Sequence, residues 1–150
     1  MSGEAEVRYA ETEQDMVAMH ELLLVVARPA MLCPVNVVKS LQEVIRVTRE
    51  EVALMLVRDG RLIGTMGLIN PTWWYGDEGF LTDRWHFVLP EVMNTPAADM
   101  LEDEAIKIAE AAGTIFVHQG KIRKGKKGVP RLMPRVFGSD SGTVETQGRA

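Results

Sequence analysis

The sequence predicts an α/β (α+β) fold, a single domain whose mixed, mostly antiparallel sheet is flanked by helices. Three observations carry that reading. Asp59-Gly60 joins two apolar, strand-forming runs, the signature of a tight antiparallel hairpin. Two segments, Met16–Ala27 and Val37–Arg49, carry helical apolar patterns before that hairpin. A strand, a capped helix and a second strand occupy Phe80–His118 after it, an order that lays two parallel strands side by side through a right-handed crossover.

Taken in order, Val7–Ala10 alternates apolar and polar residues and reads as a strand, and Thr12 and Asp15 stand at capping-box spacing before the first helix. Arg28-Pro29 interrupts that helix. From Pro34 onward Val37, Val38, Leu41, Val44, Ile45 and Thr48 recur every three or four residues, so a second helix runs to about Arg49. Val52–Val57 and Leu62–Ile69 form the hairpin arms. Pro71–Gly79 is a connection holding the cluster Trp73-Trp74-Tyr75 and a turn at Gly76–Gly79; Phe80, Trp85, Phe87 and Val88 mark the next strand, which ends at Pro90. Thr95-Pro96 predicts a helix start, with the Thr95 hydroxyl accepting backbone N–H bonds and Pro96 at the first helical position. Ala97, Leu101, Ala105, Ile108 and Ala112 then share a face, Gly113 closes the helix, and Thr114–His118 returns as a strand. Beyond Gln119, Pro130 and Pro134 forbid a long helix. Ser139–Ala150 reads as a polar tail, which sets a folded domain at 1–138 and a tail at 139–150. No internal repeat divides the chain.

Composition bounds the function. The 150 residues suit one core, which at this size buries roughly 68–70% of the surface the unfolded chain exposes. The net charge of −4 and the pI near 5.4 argue against a protein coated in nucleic acid or spread on a membrane. No run approaches the ~20 apolar residues of a membrane span, and the acidic start lacks a signal peptide's basic region, so a cytoplasmic protein is expected. The single Cys33 cannot form an internal disulfide and is expected to be an inert buried thiol. Lys121, Arg123, Lys124, Lys126, Lys127, Arg131 and Arg135 crowd into one short segment. That segment could meet an acidic partner, a phosphate or nucleic acid, or form a solvated surface.

The element order, together with Asp59-Gly60-Arg61-Leu62-Ile63-Gly64-Thr65-Met66-Gly67-Leu68 and Val88-Leu89-Pro90-Glu91, resembles the GNAT superfamily of N-acetyltransferases, its central hairpin and the end of its fourth strand. The likeness spans roughly Glu6–His118. Thr82-Asp83-Arg84-Trp85-His86-Phe87-Val88-Leu89-Pro90 is similar to small acetyltransferase-like proteins of bacteriophages, which would place the protein in a host cytoplasm or a virion. The resemblance implies acetyl-CoA as co-substrate. Its pyrophosphate would lie on the loop written Q/R-x-x-G-x-G/A, matched by Met93-Asn94-Thr95-Pro96-Ala97-Ala98, where amides at a helix start favour an anion. The cofactor residues it implies are Val88, Leu89, Met93, Asn94, Thr95, Ala97 and Ala98, with an amide near Val88 or Leu89 polarising the thioester carbonyl. Met93 stands at the Q/R position and Pro96 replaces a glycine, removing one N–H donor.

For catalysis the resemblance directs attention to His86, with Asp83, as candidate base. Three residues apart on a regular strand, they face opposite sides and cannot act together unless a bulge intervenes. The alternative readings are a strand histidine with a satisfied hydrogen bond and an aspartate paired with Arg84 or another neighbour. The acid is often a tyrosine beyond the fifth strand, but the tyrosines are Tyr9 and Tyr75, leaving His118 or Ser139 as substitutes. His20, His86 and His118 are too scattered in sequence to indicate a metal site. Trp73, Trp74 and Tyr75 could line an acceptor pocket or an interface, or pack into the core. The function implied is acetyl transfer from acetyl-CoA to a primary amine, on a small molecule, a modified nucleobase or a protein lysine, by a protein that could form a homodimer. The alternative is a catalytically inactive fold kept for structure or interaction, possible in a phage particle; a third is an adaptor that binds nucleic acid through the basic segment.

Overall fold

The computed structural model describes residues 3–118 and 121–123. The sheet has six strands in the order of the chain, β1 (Glu6–Tyr9), β2 (Val52–Arg58), β3 (Arg61–Ile69), β4 (Leu81–Val88), β5 (Phe116–His118) and β6 (Lys121–Arg123). Neighbours are antiparallel except β4 and β5, which are parallel. The α/β class, with its mixed sheet and flanking helices, is the one the sequence predicts. The polar tail and the basic residues from Lys124 onward lie outside the described residues.

Each helix has a local cause. Helix α1 (Glu13–Leu22) starts on a complete capping box, Thr12 Oγ1 accepting from the Asp15 amide at 3.0 Å and Asp15 accepting from the Thr12 amide at 3.1 Å. It widens into a π-helical turn over Leu23–Ala27, then tightens into a 3₁₀ turn over Arg28–Ala30, where Pro29 forbids continuation. Helix α2 (Val37–Glu50) is capped by Asn36, whose side chain accepts from the Lys39 amide at 3.0 Å. The β2–β3 hairpin turns through Asp59 and Gly60, both at positive φ (54° and 75°), as a two-residue primed turn requires.

Two apolar layers sandwich the sheet. On one face Met16, Met19 and Val44 from α1 and α2 cover Ala53, Met55 and Val57 of β2. On the other, helix α3 (Met100–Ala111) lays Leu101, Ala105, Ile106 and Ala109 over Leu54, Leu56, Met66, Leu68 and Phe116. This buried stripe corrects the expected helical face: Ile108 packs at its margin and Ala112 is exposed. Thr95 is corrected too. It forms no side-chain cap; its hydroxyl donates to the Val92 carbonyl at 2.5 Å, and a 3₁₀ turn over Pro96–Asp99 leads into α3. Cys33 is exposed, not buried.

The hairpin pairs β3 with β4 in steady register from Gly64↔Val88 to Gly67↔Trp85 and then shifts to Leu68↔Asp83. Arg84 is therefore an extra residue, a bulge that re-phases the strand. Beyond it Trp85 turns toward the α2 face, where its indole donates to Thr65 Oγ1 at 3.0 Å, and Arg84 reaches Glu43 of α2 at 2.9 Å.

Candidate active site

Strand β5 pairs with β4 only at Leu81↔Phe116 and Thr82↔Val117. From Asp83 to Val88 the β4 edge runs without a ladder partner on that side among the described residues, and a cleft of about 1260 Å³ opens beside it. Its walls are the β4 segment Arg84–Val88, the turns at Leu23–Met31 and the loop from Pro90 into Asp99. The Leu89 amide donates back to Ile63 of β3 at 2.9 Å. Because successive amides of a strand point to opposite edges, those of Val88 and His86 point away from β3 toward the cleft.

Among the residues expected to hold a cofactor, Val88, Met93, Asn94, Thr95 and Ala98 line this cleft, whereas Leu89 and Ala97 do not and are buried in the α3-side core. The loop's donors are depleted. The amides of Met93, Thr95 and Ala98 turn onto the carbonyls of Pro90, Val92 and Thr95 at 3.2, 3.2 and 3.0 Å, and Pro96 has none. Asn94, held at φ 65°, and Ala97 keep amides that take no part in these turns. Few backbone donors of this loop thus remain to meet an anion such as a pyrophosphate, and the Asp99 carboxylate also faces the space.

The bulge decides the chemistry of β4. Asp83 stands opposite Leu68 and His86 opposite Met66, both core residues of the α3 face. The two candidates therefore share a face, where a regular strand would separate them. Between them comes His118 of β5. Its Nδ1 lies 2.9 Å from Asp83 Oδ1, its ring centroid 5.3 Å from that of His86, and its ring stacks on Phe116 at 5.8 Å. Asp83 thus pairs with His118, not with Arg84, which is committed to Glu43. His20 is elsewhere, buried against α2 with Nε2 2.8 Å from Ser40 Oγ. Only His86 of the three histidines lines the cleft. Among the described residues no group of three or more His, Cys, Asp or Glu is placed to hold a metal.

Environment drives the two neighbouring imidazoles apart. Burial first, and then the charge of His118, push His86 below the ordinary histidine range against the pull of Asp83. The Asp83 hydrogen bond, outweighing burial, raises His118 above it. Burial alone would push Asp83 up, but the hydrogen bond and charge of His118 reverse this and hold its carboxyl below the usual value. The His86 imidazole at the cleft wall is therefore the weaker base of the two, and the His118 imidazole behind it, bound to Asp83, the stronger. His118 is the functional candidate that sequence reasoning named only as a substitute acid, because nothing in the local sequence brings it within reach of Asp83.

A hairpin-led antiparallel sheet that turns parallel between β4 and β5 and splays there is the fold of the GNAT family of acetyltransferases. Among solved structures, the chain is similar to a possible acetyltransferase from Clostridium difficile 630 (TM-score 0.64, 10% identity, covering 97% of this chain and 99% of that one). It is similar also to the aminoglycoside 6'-N-acetyltransferase AAC(6')-IG from Acinetobacter haemolyticus (TM-score 0.63, 16% identity, 92% and 99%). A third is AAC(6')-Iy in complex with the bisubstrate analogue CoA-S-monomethyl-acetylneamine (TM-score 0.62, 11% identity, 78% and 80%). Neither a family model nor a curated relative matches the sequence, so the likeness is one of fold.

The remaining candidates are distributed away from the cleft. Trp73 stacks on Phe80 at 4.1 Å between ring centroids, while Trp74 and Tyr75 are exposed, and none of the three lines the cleft. Arg123 is ion-paired with Glu102 of α3. No helix among the described residues is long and apolar enough to cross a membrane.

Proposed function

We propose that the protein transfers an acetyl group from acetyl-CoA to a primary amine, with the thioester in the β4–β5 splay, the Val88 amide at its carbonyl oxygen and His86 as the base. One observation carries this reading: a largely neutral imidazole faces the opening of a GNAT-fold sheet, on the strand whose free amides line the same cleft. A small-molecule amine is the favoured acceptor. The aminoglycoside acetyltransferases of like fold support it, as does Asp99 on the loop wall, a carboxylate able to attract a cationic amine.

Calorimetric titration with acetyl-CoA, with desulfo-CoA as a check for hydrolysis, tests the proposal. Saturable binding in the micromolar range followed by turnover in an amine screen is the expected result. No heat and no thermal shift at millimolar ligand would overturn it.

A second reading has its own observation. Pro96 and the three amides spent on internal turns leave the phosphate loop short of donors, as in a GNAT fold kept for binding or structure, including one that serves a phage particle. Function resides in the site and not the scaffold, and the same titration separates the two.

A further inference from the structure

We infer that His86 serves both proton transfers of the reaction, taking a proton from the amine and returning it to the departing sulfur, while His118, clamped by Asp83, is the positioning residue behind it. The inference rests on the acetyl-transfer reading and adds to it the itinerary of the proton.

Among the described residues no tyrosine lines the cleft. Its described titratable side chains are Arg84, His86 and Asp99, and Arg84 is bound to Glu43. Tyr9 stands on β1, with Glu104 of α3 beside its hydroxyl, and Tyr75 lies in the β3–β4 connection; neither lines the cleft. Of these described groups His86 is the imidazole, able both to take and to return a proton, and the itinerary runs through it. The neutral amine nitrogen attacks the thioester carbon, the N–C bond forms, and the carbonyl electron pair moves onto oxygen beside the Val88 amide. His86 takes the proton from nitrogen. As the carbonyl re-forms, the C–S bond breaks with its electron pair on sulfur, and His86 passes the same proton to that sulfur. The products are an amide and a thiol, and His86 ends neutral, as it began.

A histidine that must give its proton back benefits from a neighbour that makes its cation less stable. His118 is that neighbour, 5.3 Å away between ring centroids and fixed by a 2.9 Å contact to Asp83. The other charged groups facing the pair are Glu102 of α3, which favours the His118 cation, and Arg123 of β6, which opposes it and is itself paired with Glu102. The turns at Leu23–Met31 present only the apolar side chains of Leu23, Val26, Ala27, Ala30 and Met31 to the cleft.

Histidine-ring NMR titration of the protein alone tests the assignment. In the unmodified protein His118 is expected to titrate above His86. In H118Q the His86 midpoint should rise by about half a pH unit or more, and in D83N the His118 midpoint should fall, with His20 unmoved in both. Turnover against pH should show the acidic limb of H118Q displaced upward by the same amount. A His86 midpoint at or above that of His118 in the unmodified protein overturns the assignment without any variant having to fold; so does a His86 midpoint unchanged in folded H118Q, or a His118 midpoint unchanged in folded D83N. Failure to bind acetyl-CoA, with the titrations as expected, would instead overturn the transfer reading and the proton itinerary with it.

Discussion

At the scale of single residues, His86 and Thr65 show how differently two polar groups of one sheet are used. His86 is half-buried at a cleft wall, and His86→Gln is expected to lower kcat by roughly 10²–10⁴-fold and to flatten the acidic limb of the rate profile. Steady-state kinetics from pH 5 to 9 on folded variant protein would show it; full activity with an unchanged profile would remove His86 from the mechanism. Thr65 has no access to solvent: its hydroxyl donates to the Leu54 carbonyl at 2.8 Å and accepts the Trp85 indole at 3.0 Å. Thr65→Val keeps the shape and strands the indole N–H, so urea unfolding should show a loss of about 1–3 kcal/mol. The Asp83–His118 pair gives a stability with a pH window. His118 is raised on folding, so its contribution is full below the unfolded value of 6.5 and is lost as pH rises through the folded one. Asp83 is lowered, so its contribution is present above 3.8 and is lost as pH falls through the folded value. The difference in Tm between the unmodified protein and Asp83→Asn should therefore be largest between these two limits and shrink on either side.

At the scale of elements, β3 and β4 are locked by what glycine leaves room for. A Cβ on Gly67 would stand 2.6 Å from carbons of the Trp85 ring. Gly67→Ala should cost about 1–3 kcal/mol by forcing the indole off its seat and should alter tryptophan fluorescence in the folded state; an unperturbed melt would mean the ring can slide at no cost. Most elements were legible because their causes are local. Thr12 and Asp15 cap α1, Pro29 ends the helical run, and Asp59-Gly60 makes the hairpin, each through bonds or sterics that a few adjacent residues contain. The bulge at Arg84 was not legible, since it follows from how β4 meets two opposed layers: Trp85 seeks Thr65, and Arg84 seeks Glu43, forty-one residues earlier in the chain. The failure of Thr95 as a cap has the same origin, its hydroxyl being drawn back to the Val92 carbonyl by the turn before it.

At the scale of the whole molecule, the candidate site is made by contacts between distant parts of the chain. His86 and the loop residues could be picked out by following one segment, but Asp83 and His118 are 35 residues apart and meet only because β5 pairs in parallel with the start of β4. The cleft wall at Leu23–Met31 was equally hidden, an apolar run that reads as ordinary helix until the π-helical turn and Pro29 bring it over the β4 edge. Ala98 lines the cleft while Ala97 is in the core, so Ala98→Asp is the cleaner probe of the phosphate loop. It should raise the acetyl-CoA dissociation constant about tenfold or more by placing a second carboxylate near Asp99, measured by calorimetry with Tm as a control; unchanged affinity would put the pyrophosphate elsewhere.

The extra residue in β4 also bears on how this chain can vary. Side chains alternate with a period of two, so with two residues between them Asp83 and His86 both look toward α3 only because one of the two, Arg84, is bulged out of the ladder. Replacing Arg84 by another residue keeps the bulge, and deleting it would pair Asp83, Trp85 and His86 with Leu68, Gly67 and Met66 in unbroken alternation, leaving imidazole and indole on their present faces. The facing of the site should thus survive both replacement and loss of Arg84, and what either change gives up is the bond that ties β4 to Glu43 of α2.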